Sequence, residues 1–159
     1  MEFDNNGWIK PITPTHTGVD FSKILKPKHP GLQNVAFGKV VTSSGVDGKH
    51  NPELAVDNNY ATYWIGGGSG FFSVDLGRVY EIEKIIPRFL YYDYHLLYRI
   101  VYSDDNRNWK VYHDQTESAQ KAAFPITLHK IGARYVKGEF VKEKGNIALS
   151  ELEVMSFNP

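Results

Sequence analysis

The sequence contains no cysteine, which excludes disulfides, thiol nucleophiles and cysteine-ligated zinc. It also has no excess of either charge, because lysine plus arginine and aspartate plus glutamate number 18 each among 159 residues. A neutral chain is poorly suited to a nucleic acid or an anionic membrane bound through bulk charge, so we expect neither partner. No apolar run approaches the roughly 18 residues of a membrane span.

Motifs for catalysis are absent as well. No GxSxG segment is present to form a nucleophile elbow, and the GGGSG segment at residues 66–70 lacks the Lys-Ser/Thr of a phosphate-binding loop. That segment is more typical of a flexible surface loop. The pairs Glu81/Glu83 and Glu151/Glu153 lie two residues apart, which is typical of solvated strand faces; among the four, Glu151 is also a candidate for a separate role. The histidines have neither HxH nor HExxH spacing; they are His16, His29, His50, His95, His113 and His129. We expect no enzymatic activity.

The chain divides near residue 32. Four of the eight prolines, Pro11, Pro14, Pro27 and Pro30, fall within the first 30 residues. This density predicts a linker or peripheral strap over residues 1–32, followed by one domain over residues 33–159.

Apolar residues in the second part alternate with polar ones. Phe72, Val74 and Leu76 alternate with Ser73 and Asp75, and no stretch of about 11 residues keeps a helical period. Similar runs occur near residues 98–102, 136–140 and 152–154, separated by turn sequences such as SDDNRN at residues 103–108. Together with 14% aromatic residues, the pattern predicts an all-β fold, an antiparallel β-sandwich.

The segment AVDNNYATYW, residues 55–64, is a polar loop between hydrophobic anchors. Asp57, Asn59 and Thr62 lie two and three residues apart, a spacing that lets one loop surround a hard cation such as calcium. The alternative is that Asp57 and Asn58 make an Asx-turn with their own backbone. Spacing alone leaves both open.

Several motifs follow one another in the order found in a known family. The run AVDNNYATYW, then FFSVDLG, IIPR, YRIVYSDDNRNWK and IALSELEV, resembles the discoidin or coagulation-factor type C domains. It is most similar to the family 32 carbohydrate-binding modules of bacteria, which have a galactose-binding-like jelly roll. The resemblance covers about residues 34–156. Asn58 and Asn106 replace glycines that are common in the family, and asparagine tolerates the positive φ that these turns require.

The resemblance implies a structural calcium in the polar loop. Carbonyl oxygens would come from Leu54, Asn59, Thr62 and Ser150, the hydroxyl from Thr62, and carboxylates from Asp57 and Glu151. Seven oxygens with two negative charges suit calcium. Trp64, directly after the loop, is expected to pack in the core.

The resemblance also implies a sugar site in the loops at one end of the sandwich. Aromatic rings bind the C–H face of a sugar, and planar polar side chains bind its hydroxyls. The expected ligand-binding residues are Arg88, Tyr91, Tyr92, Tyr94 and His95 in one loop, His50 and Asn51 in a second, and Asn146 in a third.

Two functions from different classes follow. The first is a monomeric, non-catalytic module that tethers a bacterial glycoside-active enzyme to a polysaccharide or glycan. It implies a covalently linked catalytic domain, a secreted, periplasmic or cell-surface location, and an export signal already removed from this chain. The second is an adhesion domain that binds a membrane or a protein through exposed apolar loop tips. Its candidate tip residues are Phe89, Leu90, Leu96 and Leu97.

Overall fold

The computed structural model of the chain describes residues 31–90, 96–119, 125–142 and 145–157, so most of the predicted N-terminal linker lies outside them. The strands are β1 (Gln33–Asn34), β2 (Val40–Ser43), β3 (Trp64–Ile65), β4 (Ser69–Phe89), β5 (Leu96–Ser103), β6 (Lys110–Gln115), β7 (Thr127–Lys142) and β8 (Ala148–Ser156). The helical structure of these residues is one 3₁₀ turn, Pro52–Ala55. None of the helical structure described is long and apolar enough to cross a membrane.

The strands pair in the order β1-β8-β4-β7-β5-β6, with β2 added to β4 and β3 added to β8. The pairs are antiparallel, and the long strands β4 and β7 run side by side for most of their length. Their register shifts between Asp75 and Tyr80 and again between Ile82 and Lys84. Such irregularities bend strands and increase their twist. The antiparallel β-sandwich predicted from the alternation is confirmed.

The core is built from the inward side of these alternating strands. Phe72, Val74 and Leu76 are all fully buried, as the pattern predicted. Trp64 is also fully buried, with its ring centroid 5.2 Å from that of Phe72 and 6.4 Å from that of Phe140. Each fully buried large apolar side chain contributes roughly 1.5–3 kcal/mol by leaving water. The prediction that Trp64 is a core residue is confirmed.

Two turns depend on asparagine in a left-handed conformation. Asn58 has φ of 57° and Asn106 has φ of 59°, as the resemblance implied for positions where glycine is common. In the second turn Asp105 accepts hydrogen bonds from the amides of Asn108 and Arg107. These bonds hold the pKa of the Asp105 carboxyl well below its usual range.

The GGGSG segment is not a flexible surface loop throughout, so that prediction was wrong in part. Ser69 and Gly70 begin β4, and Gly66 is buried, with its amide 3.0 Å from the Ile147 carbonyl oxygen. A Cβ on Gly66 would overlap the Trp64 ring, and one on Gly70 would overlap the Ser44 hydroxyl. These glycines therefore allow close packing.

Candidate functional site

Three loops meet at one end of the sandwich, namely residues 45–51, 65–67 and 145–147. The Asp47 amide donates to the Ile65 carbonyl at 2.9 Å, and the Ile65 amide donates to the His50 carbonyl at 3.3 Å. Residues 66 and 67 exchange backbone hydrogen bonds with Ile147. The backbone thus fixes the relative positions of the three loops.

Four side chains from this region make up what we call the loop-end site: Asp47, His50, Tyr63 and Asn146. The side-chain amide of Asn146 donates to Asp47 Oδ2 at 2.9 Å. This bond joins two loops whose bonded residues are 99 positions apart in sequence. The rings of His50 and Tyr63 are stacked, with centroids 4.3 Å apart and planes inclined by 14°. Asp47 and Asn146 are exposed, and both rings are partly exposed. Flat rings beside planar donors and acceptors can bind a small polyhydroxylated ligand.

The structure brings together part of the predicted sugar site. His50 and Asn146 belong to the loop-end site, and Asn51, also exposed, follows His50 directly. Tyr91, Tyr92, Tyr94 and His95 lie outside the described residues and stay a prediction. The last residue described before them, Leu90, donates its amide to the Ala148 carbonyl at 3.0 Å. The chain therefore leaves β4 close to residues 145–147.

Sequence reasoning missed Asp47 and Tyr63. Asp47 lies in the same GVDGKHNPE segment as His50, and Tyr63 directly follows the predicted cation ligand Thr62. The sequence feature that could have indicated Tyr63 is its position, because it is an aromatic residue between the polar loop and the core residue Trp64.

Arg88 belongs to a different group of side chains. Its Nε and one terminal nitrogen lie 2.9 and 3.1 Å from the two carboxylate oxygens of Glu153. The guanidinium also lies 4.6 Å from the centroid of the Tyr60 ring, and the Tyr60 hydroxyl donates to Glu153 at 2.5 Å. The hydrogen bond to Glu153 raises the pKa of the Tyr60 hydroxyl. Whether Arg88 binds sugar remains a prediction.

The second acidic pair does not lie on a solvated face, so the expectation was wrong for Glu153, whereas Glu151 was also a predicted cation ligand. Glu151 is fully buried and Glu153 is 7% exposed, because the segment from the 3₁₀ turn to Tyr60 packs over this part of β8. For the first pair the expectation is confirmed, since Glu81 is exposed and Glu83 pairs with the exposed Lys130 at 2.9 Å.

The Arg88–Glu153 pair should contribute to stability more than the exposed pair does. Replacing Glu153→Gln removes a charge partner from a guanidinium that is only 26% exposed, and we expect a loss of about 2 kcal/mol in the free energy of unfolding. The matched change Glu83→Gln should cost less than about 1 kcal/mol. Urea denaturation of both variants measures the difference, and equal losses would contradict this interpretation.

The polar loop is organised by its own side chains. Asp57 Oδ1 accepts the Asn59 amide at 2.8 Å, which is the Asx-turn predicted as one alternative. Asp57 Oδ2 and the Asn59 carbonyl oxygen each lie 2.7 Å from the Thr62 hydroxyl, whose single proton can go to only one of them at a time. Three oxygen-bearing groups are thus gathered within one short loop.

Glu151 faces this loop, and the surroundings of its carboxylate indicate whether a cation fits between them. Among the buried side-chain polar atoms of the described residues, the two Glu151 carboxylate oxygens are the ones without a hydrogen-bond partner. Burial raises the pKa of Glu151 to about 7; the nearby Asn58 amide, which does not reach hydrogen-bonding geometry with the carboxylate, offsets this in part, and the negative charge of Asp57 adds to it. An unpartnered buried carboxylate beside a second carboxylate is costly unless a cation neutralises it. The donor set therefore fits a cation.

The other predicted ligands border the same region. Leu54 lies in the 3₁₀ turn that packs on β8, and Ser150 precedes Glu151, with its hydroxyl donating to the Arg88 carbonyl at 3.0 Å. In the described ranges no three His, Cys, Asp or Glu side chains are grouped to hold a metal. A cation here would therefore rely on carbonyl and hydroxyl oxygens together with two carboxylates, a ligand set typical of calcium.

The raised pKa of Glu151 predicts a pH dependence of stability in chelator. The folded state binds the proton more tightly than the unfolded state, whose pKa stays near 4.5. The free energy of unfolding should therefore fall as pH rises from about 4.5 to about 7, by as much as roughly 3 kcal/mol. Denaturation curves across this range should show the fall in the parent chain and lack it in Glu151→Gln. A parent profile identical to that of the variant would contradict the assignment.

The apolar residues proposed for adhesion are not all available. Phe89 and Leu96 are 5% and 4% exposed, because the alternation of β4 and β5 points both side chains into the core. Leu90 and Leu97 are partly exposed. The expectation that Phe89 and Leu96 form exposed loop tips was wrong.

Comparison with known proteins places this geometry in a family. The family model of the F5/8 type C domain matches residues 39–152, well over half of the chain. A pectin-binding carbohydrate-binding module is 24% identical, with a TM-score of 0.64 over 72% of this chain and 88% of that one. Chitosan-binding module 1 from a Paenibacillus sp. IK-5 chitosanase/glucanase is 22% identical, with a TM-score of 0.68 over 77% and 98%.

A third solved structure is a family 32 carbohydrate-binding module from Clostridium perfringens in complex with GlcNAc-α-1,4-galactose. It is 17% identical, with a TM-score of 0.70 over 79% of this chain and 94% of that one. At these identities the solved structures establish the fold, and the family model establishes membership. The chain belongs to the F5/8 type C domain family.

Proposed function

We propose that this protein is a non-catalytic carbohydrate-binding module. The observation that carries the proposal is the loop-end site, where one short loop carries both the His50 ring, stacked on Tyr63, and Asp47, hydrogen-bonded to Asn146. The His50 backbone amide donates to the Asp47 carbonyl at 3.3 Å, which joins the two pairs. A ring face offers a surface for the C–H groups of a sugar, and the carboxylate and amide offer acceptors and donors for adjacent hydroxyls. Tyr91, Tyr92, Tyr94 and His95 would complete this site from the neighbouring loop.

The similar solved structures support this choice of ligand class. Three modules with this fold bind pectin, chitosan and GlcNAc-α-1,4-galactose, respectively. The ligands differ from one another, so they support binding of a glycan without indicating which one.

We further propose an accessory role, in which the module holds a linked glycoside-active enzyme on its substrate. Tethering raises the local concentration of the enzyme, so weak binding by the module is sufficient. The proline-dense residues 1–32 are the proposed connection to that enzyme. This role implies a secreted, periplasmic or cell-surface protein whose binding module is monomeric.

The polar loop is proposed to hold one structural calcium. Asp57 and Glu151 would supply carboxylates, Thr62 its hydroxyl and carbonyl, and Leu54, Asn59 and Ser150 carbonyls. The unpartnered Glu151 carboxylate supports this proposal. Bound calcium would neutralise the buried charge and fix the polar loop on β8. The last proposed ligand in that loop, Thr62, directly precedes Tyr63 in the sequence.

The test is a panel of immobilised glycans and polysaccharides probed with the isolated chain, alongside vesicles of anionic and neutral lipid. The proposal predicts binding to at least one glycan, and this binding should be about fivefold or more weaker in a His50→Ala variant. Binding to anionic vesicles with no binding to any glycan would favour the adhesion function instead.

A further inference from the structure

The outward face of the sheet formed by β4, β7 and β5 carries an ordered set of side chains. The register places Phe71 opposite Glu139, and Glu139 opposite Arg99, in one row across the three strands. The adjacent row consists of Ser69, Val141 and Leu97. We call these two rows the sheet-face surface. Phe71 is 37% exposed and Val141 is 49% exposed.

The charges on this face are paired with one another. Arg99 lies 2.6 Å from one Glu139 carboxylate oxygen, and Lys137 lies 2.9 Å from the other. The Lys137 ammonium also lies 4.2 Å from the ring centroid of Trp109. Because each charge already has a partner, an ionic ligand would have to break a pair to form a new one. Uncharged hydroxyls can be added without that cost, since the guanidinium and the carboxylate both retain capacity for hydrogen bonds.

A shallow groove of about 230 Å³ lies beside the Arg99–Glu139 pair. It is lined by Leu97, Val141 and Gly70 together with the polar side chains of Arg99, Glu139 and Thr116. The volume is below the roughly 300–1,000 Å³ of pockets that enclose whole drug-sized ligands. It suits one unit of a longer molecule that lies across the surface.

The sheet-face surface adjoins the loop-end site. Ser69 begins β4 three residues after Gly66, whose amide is bonded to Ile147 in the loop-end region. Leu97 and Val141 lie at the ends of β5 and β7 that flank residues 91–95 and 143–147. A chain molecule that leaves the loop-end site along these strand ends would therefore reach the sheet-face surface.

We infer that the sheet-face surface is a second contact region for an uncharged polysaccharide, with Phe71 and the groove beside Arg99 and Glu139 binding units distant from the loop-end site. The inference rests on the proposed function. Two adjoining contact regions on one chain molecule make the second contact intramolecular, so the polymer binds more tightly than a short fragment.

The test compares a polymer with its own trisaccharide. Affinity electrophoresis in gels containing an uncharged galactan, xyloglucan or mixed-linkage β-glucan identifies a polymer that retards the parent chain. Isothermal titration then measures the polymer and its trisaccharide with Phe71→Ala, Arg99→Gln and the control Leu128→Ala. Leu128 is 77% exposed and lies near the other end of β7. Arg99→Gln removes the guanidinium but leaves Glu139 paired with Lys137. Phe71→Ala removes an aromatic ring, so the two variants test different kinds of contact on the same surface.

We expect both surface variants to bind the polymer about fivefold or more weakly than the parent and to bind the trisaccharide equally well. The control should match the parent in both. Unchanged polymer binding in folded Phe71→Ala and Arg99→Gln would overturn the inference. Retardation of the parent by polygalacturonate or chitosan alone would overturn the assignment of an uncharged ligand. Loss of trisaccharide binding in His50→Ala supports the proposed function separately, and its persistence would count against the loop-end site.

Discussion

Calcium added to chelator-treated protein should raise the melting temperature by about 5–10 °C. A ligand that binds only the folded state at 100 times its Kd contributes about 2.7 kcal/mol, and 1 kcal/mol corresponds to roughly 2–4 °C for a domain of this size. The physical source is Glu151, a fully buried carboxylate without a hydrogen-bond partner. Differential scanning calorimetry with and without calcium at pH 7.5 measures the shift.

Two conservative variants separate the cation from the Asx-turn. Asp57→Asn keeps a side-chain oxygen to accept the Asn59 amide but removes one of two negative charges, so the calcium response should fall sharply. Glu151→Gln should also lose the response, yet it should melt above the parent in chelator because it no longer buries a charge. Glu81→Gln, an exposed position, should respond like the parent. If the parent melts identically with and without calcium, Asp57 serves the turn alone.

Substituting Tyr63→Ala or His50→Ala should weaken glycan binding by about fivefold or more. An open sugar site buries little surface, so we expect a parent Kd on the order of 10 μM to 1 mM. Loss of a stacking ring costs about 1 kcal/mol, so a Kd of about 10 μM would become about 50 μM, and a Kd of about 1 mM would pass beyond ordinary detection. Each substitution removes one ring of the stacked pair. Isothermal titration with the glycan identified on the panel provides the measurement.

His129→Ala is the matched control for His50→Ala. His129 is exposed and also lies against a tyrosine ring, with its centroid 5.8 Å from that of Tyr112, but it belongs to β7. It should bind like the parent. Parent-like binding by both Tyr63→Ala and His50→Ala would place the site elsewhere, and Arg88→Ala, Tyr91→Ala, Tyr92→Ala and Tyr94→Ala would then test the adjacent predicted loop.

The fold could be predicted because its determinants are local. Alternation with period two identifies which side of a strand is buried, and it placed Phe72, Val74 and Leu76 in the core. Turn chemistry is equally local, since asparagine is one of the few residues that adopts positive φ readily, as Asn58 and Asn106 do. The family resemblance added the order of these elements.

The candidate site was predicted less completely because its contacts join distant parts of the chain. Asp47 and Asn146 are 99 residues apart, and Tyr60 lies 93 residues from Glu153. The sequence around Glu153 has the alternation of a half-exposed strand, and only the packed polar loop makes its carboxylate buried. Spacing within a segment cannot reveal a partner that tertiary structure supplies.

The position of Tyr63 connects the two proposed roles of this end of the molecule. Thr62, a proposed calcium ligand, precedes Tyr63, and Trp64 follows it as a fully buried core residue. Both chain neighbours of Tyr63 are thus held in place once calcium neutralises the carboxylates of the polar loop and Glu151. A ring held in place before binding loses less conformational entropy when a sugar stacks on it.

The most direct measurement of the central claim is an amide-resolved NMR titration of the calcium-bound chain with a glycan from the panel. We expect chemical-shift changes to be concentrated at residues 45–51, 63–67 and 145–148, the segments that carry and support the loop-end site. Shift changes confined to the turn at residues 103–108, or none with any glycan at millimolar concentration, would contradict it.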